Sequence, residues 1–394
     1  MEYHISDKMI SMKPSAIREI FKSLTDPSII AFAAGNPAAE SFPVEAISTF
    51  SADILANSPV TALQYSITEG YPPLREAVQK RLANRFHIDG AGNTTMIVSG
   101  GQQGIELTAK VMCNEGDAVI CENPSFIGAL NAFRSVGART IGVPLEDDGM
   151  NIEALEKALK TEKRVKLLYV IPTFQNPAGI TTSLEKRRAI YALAKKYDVL
   201  ILEDNPYGEL RFAGEELPTL KSMDTDHIVV YCGSFSKILA AGIRVGFLCA
   251  PDPVAQKIAV AKQVEDVHTN IFFQMICHRF MTDFDMDGHI GKIQALYRRK
   301  CGLMLDAMDA GFPDDIHFTR PEGGLFVWCT LPDRLPMPEF VQRALAEKVA
   351  VVPGSTFNCD EKAPSQSIRL NYSTPSDEQI TRGIGILSEL VRKS

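Results

Sequence analysis

The sequence predicts a two-domain α/β protein: a large domain with a mostly parallel seven-stranded sheet flanked by helices, and a smaller α+β domain. Three observations carry that expectation. Seven short apolar runs alternate with helical patterns between residues 96 and 250, and such alternation makes a parallel sheet covered on both faces. Beyond residue 288 helices and short apolar runs stop alternating, as in an α+β arrangement. At 394 residues the chain also exceeds what one hydrophobic core ordinarily organises.

In chain order, residues 15–24 form a short amphipathic segment that carries Arg18. Gly35-Asn36-Pro37 then breaks the chain before a helix begins at Val44. The strand candidates are residues 96–99, 118–121, 140–143, 166–171, 199–202, 228–232 and 245–249. Residues 254–280 read as one long helical stretch, and the polar, glycine-containing residues 283–288 as the exit from the large domain. A long helix over 290–308 follows, then strands at 317–319, 325–329, 350–352 and 368–371, and an amphipathic helix over 377–392. The expected division is an N-terminal arm at 1–47, joined to the small domain and lidding the substrate, a cofactor domain at 48–285, and a small domain at 286–394.

Composition narrows the function. A net charge of −7 argues against nucleic-acid or anionic-membrane binding as the main task. Residues 1–10 hold no signal-peptide core, and no apolar run approaches membrane-spanning length. The eight cysteines are scattered without metal-ligand spacing, which reads as reduced thiols in a cytoplasmic protein. The seven histidines include no H-E-x-x-H, so no metal is expected.

The most informative stretch is Ser234-Phe235-Ser236-Lys237, with Arg244 seven residues beyond the lysine. It follows an apolar run, and an ammonium at the end of a buried strand is costly to desolvate unless neutralised or used covalently. Two hydroxyls and a guanidinium around it suit a phosphate. A phosphate beside a nucleophilic lysine fits pyridoxal phosphate, which binds lysine as a Schiff base. The run at 199–202 ends in Glu203-Asp204-Asn205-Pro206-Tyr207. Asp204, at a strand end where open α/β sheets bind ligands, pairs with the pyridine nitrogen on this reading. Tyr207 and Asn176, from Asn176-Pro177-Ala178-Gly179, reach the ring's phenolic oxygen. Ser99-Gly100-Gly101-Gln102-Gln103-Gly104 follows the first strand and opens a helix. Gly101 and Gln102 there offer backbone N–H groups to the phosphate. A dinucleotide fingerprint is the rival for this turn, with Ser99 in the first glycine's place and Glu122 downstream. An S-x-x-K acylase is the rival for Lys237, but the S-x-N and K-T-G it needs are missing.

Asn176-Pro177-x-Gly179, Asp204-x-x-Tyr207, Ser234-x-Ser236-Lys237 and Arg244 together resemble the class I/II aminotransferases of fold type I, which use pyridoxal phosphate. The set is most similar to their 2-aminoadipate and kynurenine branch, with an aspartate-aminotransferase-like fold. The resemblance runs from Pro14-Ser15-Ala16-Ile17-Arg18 to Arg369. It implies transamination between an amino acid and a 2-oxo acid in a ping-pong cycle, with Lys237 as Schiff-base lysine and then general base. It further implies that Phe126 stacks on the pyridine ring and that Tyr65 reaches the phosphate of the other subunit of a homodimer. Arg369 sits in an apolar run, where an internal salt bridge stands as the plain alternative; the resemblance makes it the fork for the substrate α-carboxylate. Gly35 lines that end, and Arg18 pairs with a distal carboxylate. Two other functions stay open. One is a β-lyase on the same fold. The other is a ligand sensor of the kind fused to a winged helix, against which only a short arm precedes Arg18.

Overall fold

The computed structural model describes residues 3–6, 9–10 and 26–393, so Arg18 and its amphipathic segment lie outside the described residues. The central sheet is built from β2 (Asn93–Val98), β3 (Ala118–Asn123), β4 (Arg139–Glu146), β5 (Gly149–Met150), β6 (Val165–Val170), β7 (Leu200–Asp204), β8 (Val229–Ser234) and β9 (Gly246–Pro251). Their order is β2-β9-β8-β7-β6-β3-β4-β5. The neighbours from β8 through to β4 run parallel, while β9 is antiparallel to both β2 and β8. The seven expected strands are present; β5, an eighth of two residues, only hairpins back on β4.

Side chains alternate between the two faces of this sheet. Ile120, Leu168, Val170, Ile201 and Val229 pack under the helices Ile152–Thr161 and Leu184–Lys196. Val119, Cys121, Leu167, Tyr169, Leu202 and Val230 join the larger core on the opposite face. Asp204, two residues beyond Leu202, therefore shares a face with Tyr169, which pairs with Leu202 in register. That parity later decides what Asp204 touches.

A second sheet of four strands has the order β10-β11-β14-β13, from His317–Phe318, Phe326–Thr330, Ser367–Asn371 and Val352–Pro353. A two-residue pair, β1 (Ile30–Ala31) with β12 (Val349–Ala350), ties the N-terminal segment to this part of the chain. The single strand expected at 350–352 is thus two strands in different sheets, separated at Val351.

Two helix expectations are corrected. Residues 254–280 are not one helix but α8 (Asp252–Glu265) and α9 (Ile271–Thr282), counting helices from Val44–Asn57 as α1. The break follows from polar chemistry inside the run: Asp266 turns back on Lys262, and the Asn270 side chain caps the new helix at Phe273 N. Of residues 283–288, the last three already belong to α10 (Met286–Gly311), capped by Asp285 at Gly288 N, so the helix begins a turn earlier than residue 290. Among the described residues no helix is long and apolar enough to cross a membrane.

Candidate active site

The carboxyl ends of β3, β6, β7 and β8 open onto a cavity of about 350 Å³. It brings together Gly35, Gly101, Gln102, Phe126, Asn176, Asp204, Tyr207, Ser234, Ser236, Lys237, Arg244 and Arg369. Tyr65 does not line it. That side chain is 81% exposed on the far side of a surface concavity, its ring edge-on to His268 at 5.9 Å.

Lys237 donates to the Gly35 carbonyl at 2.8 Å. Enclosure by protein, with Arg369 and Arg244 nearby, brings its ammonium down to about 8. A lysine so placed is readily neutral, the state a nucleophile or base needs. Asp204 ends β7 and is 4% exposed. Burial pushes its carboxyl up to about 7, against the pull of the Tyr169 hydroxyl, which donates to Oδ2 at 2.7 Å. No cation satisfies it among the described residues, so a buried positive group would return it to its charged form.

One end of the cavity is built from a helix terminus and an arginine. The helix α4 (Gly101–Met112) starts at Gly100, which has φ +84 and offers no side-chain cap. Its first N–H groups are therefore free for an anion. A Cβ on Gly100 would lie 2.3 Å from Arg244 Nη2, so only glycine lets the guanidinium close over the turn. Arg244 in turn donates to the carbonyls of Ala241 at 3.2 Å and Ser99 at 3.3 Å. Ser234 Oγ accepts from Ser236 N at 3.1 Å, which braces the turn before Lys237.

Arg369, on β14, is 3% exposed. It donates to Asn176 Oδ1 at 3.0 Å and to the carbonyls of Ala33 and Ala34 at 3.1 and 3.3 Å. Its guanidinium lies between the rings of Phe326, at 4.1 Å, and Phe357, at 5.1 Å. Its Nε has no partner, and no carboxylate pairs with it among the described residues. The internal salt bridge is thus not formed, and burial lowers the guanidinium to about 10. Asn176 also donates to the Tyr207 hydroxyl at 3.4 Å, so Tyr207, Asn176 and Arg369 form a chain across the cavity.

The uncapped helix end, the cationless Asp204 and the orphaned Arg369 Nε form a donor and acceptor set that fits pyridoxal phosphate together with an amino acid carboxylate. Residues 27–387 match the family described as aminotransferase class I and II. The chain belongs to that family. It is a pyridoxal-phosphate-dependent aminotransferase of fold type I, in the 2-aminoadipate and kynurenine branch. An aromatic-amino-acid aminotransferase of Thermococcus litoralis is 39% identical over 100% of this chain and 95% of its own length. A 2-aminoadipate transaminase of Thermus thermophilus is 38% identical over 97% and 94%. The solved kynurenine aminotransferase of Pyrococcus horikoshii, in complex with PMP, superposes with a TM-score of 0.95 at 37% identity, covering 99% of this chain and 97% of that one.

Other residues brace the cavity without standing in any of the motifs. Tyr169 holds Asp204; a hydroxyl in an apolar run needs a buried partner, which was the available signal. Phe326 packs against both Arg369 and Tyr207, the latter edge-on at 6.1 Å. Glu122, noted only for its distance from a rival dinucleotide fingerprint, is buried at the end of β3. It accepts from Ile171 N and Gln175 Nε2, both at 3.1 Å. Burial, with the nearby charge of Asp204, takes its carboxyl up to about 8.

Proposed function

We propose that the aminotransferase moves the α-amino group of an acidic, aminoadipate-like, aromatic or branched L-amino acid to 2-oxoglutarate. The cycle is ping-pong, in a cytoplasmic homodimer with shared sites. The observation that carries this reading is a single cavity in which Lys237 and Asp204 face a buried arginine that has no carboxylate partner among the described residues.

Pyridoxal phosphate, when bound, supplies the electron sink for a substrate carbanion. Gly101, Gln102, Ser234, Ser236 and Arg244 would hold its phosphate, Phe126 its ring face, and Tyr207 with Asn176 its phenolic oxygen. Asp204 would pair with the pyridine nitrogen, and a positive charge there would keep the aspartate ionised. Arg369 presents parallel N–H groups to the substrate α-carboxylate, beside the Gly35 backbone, and so fixes which face of the substrate meets Lys237. Lys237 Nζ then takes the proton from the substrate Cα. Main-chain contacts of residues 36–38 with the C-terminal part of the chain support grouping the N-terminal segment with the small domain. Ala38 N donates to Tyr297 Oη at 3.1 Å, and Asn36 O accepts from Ser373 Oγ at 2.7 Å.

The test is a panel of amino donors against 2-oxoglutarate, read as initial rates. Parallel double-reciprocal lines and turnover of glutamate or 2-aminoadipate support the reading. Intersecting lines would reject the cycle, and inactivity with every acidic donor would reject the substrate class. Arg18 reads the distal carboxylate on this proposal: Arg18→Ala raises the KM of acidic donors on the order of tenfold, the scale of one charge-assisted hydrogen bond, and spares leucine. Light scattering tests the homodimer, in which Tyr65 serves the partner's phosphate; an active monomer contradicts it.

A further inference from the structure

The turn at Ser99 is pinned from behind by a fully buried lysine that the reaction does not use. Lys262, on the last turn of α8, is 0% exposed. Its Nζ donates to Gln103 Oε1 at 2.8 Å, to Asp266 Oδ1 at 2.8 Å and to Thr269 Oγ1 at 3.0 Å. A buried ammonium is tolerated only when its donors are matched in this way. The network it organises leads to the phosphate end of the site. Gln103 Oε1 also accepts from Ser99 N at 2.7 Å, while Gln103 Nε2 donates to Asp266 Oδ2 at 2.8 Å. Lys262 and Asp266 thus dictate which way the Gln103 amide points. The Ser99 hydroxyl donates to Asp266 Oδ2 at 2.7 Å. The Ser99 carbonyl, on the other side, accepts from Arg244 Nη2. Ser99 is held by its N–H, its hydroxyl and its carbonyl, and the next residue is the left-handed Gly100 that carries the helix end.

We propose that Lys262 is a positioning residue for the cofactor phosphate. Through Gln103 and Asp266 it sets Ser99, and through Ser99 both the N–H groups at Gly101 and the guanidinium of Arg244, without touching the cofactor. The inference rests on the reading above that this turn and Arg244 receive the phosphate.

The experiment strips the full-length protein of cofactor and titrates it with pyridoxal 5'-phosphate and, separately, with pyridoxal, which lacks the phosphate. Lys262→Met and Gln103→Met are compared with Arg244→Ala. Gln103→Met leaves Lys262 paired with Asp266 and Thr269, so it cuts the link to Ser99 N while keeping the buried charge matched. Both methionine variants are expected to bind pyridoxal phosphate on the order of tenfold more weakly, the loss of about one buried hydrogen bond, with pyridoxal affinity unchanged. A merely structural role would weaken both ligands together. Wild-type phosphate preference in Gln103→Met, with that preference lost in Arg244→Ala, overturns the role of Lys262 alone. An unchanged preference in Arg244→Ala removes the phosphate assignment beneath it.

Discussion

Replacing Asp204 by asparagine should make the cofactor-free protein more stable and the enzyme almost inactive. The carboxyl ordinarily titrates at 3.8 and is held at about 7 by burial. A folded value above the unfolded one means the native state binds the proton more tightly, so this group's contribution is fully present below the unfolded value and is lost as pH rises toward 7. Relative to a neutral isostere, those two values give Asp204 a penalty below about 1 kcal/mol at pH 4, growing to about 4 kcal/mol at pH 8. The asparagine oxygen can still accept from the Tyr169 hydroxyl, which now reaches Oδ2 at 2.7 Å, so that tyrosine keeps its acceptor. Denaturant unfolding of both cofactor-free proteins at the two pH values measures the difference. The stability advantage of Asp204→Asn should widen by roughly 3–4 kcal/mol between them, while turnover of the loaded enzyme falls at least about a hundredfold. An advantage that does not grow with pH, or turnover close to wild type, would refute the placement of a buried, cation-seeking carboxylate at the ring nitrogen.

Two more outcomes follow from the same geometry. Lys237→Ala should abolish turnover yet retain cofactor through the phosphate end, and borohydride treatment of the wild type should leave the label on Lys237; a label on another lysine removes the assignment. Arg369→Lys should raise the KM of every amino donor by about ten- to a hundredfold, because an ammonium cannot offer two parallel N–H groups, whereas a loss confined to acidic donors would move Arg369 to the distal end of the substrate.

The chemistry of the site was legible because its residues stand at strand ends, where short motifs such as Asp204-x-x-Tyr207 and Ser236-Lys237 interrupt apolar runs. What those residues touch was less so. Tyr169 is hidden in the run 167–170, and only the β6–β7 register places it on the face of Asp204. Asp204 itself advertises a ligand, but nothing local shows that Glu122, on β3 beyond the intervening β6, is a second raised carboxyl. The alternating elements were readable from periodicity, while the break at 266–270 was not. Apolar residues continue on either side of it, and the interruption is decided by Lys262–Asp266 and the Asn270 cap, which are contacts rather than composition. Likewise 350–352 is uniformly apolar, so the change of sheet at Val351 leaves no mark in residue type. Arg18 falls outside the described residues, and its role stands on the motif alone.

Three consecutive main-chain carbonyls, those of Ala33, Ala34 and Gly35, take the donors of Arg369 and Lys237. Acceptors supplied by the peptide bond cannot be deleted by exchanging a side chain. A residue-by-residue alanine scan would pass over this segment in silence: two of its positions are already alanine, and a methyl group on Gly35 would meet Phe326 only at an ordinary 3.6 Å. This stretch of the pocket wall is therefore one whose importance mutational tolerance would understate. Only a change in the path of the chain, by insertion, deletion or proline, would expose it.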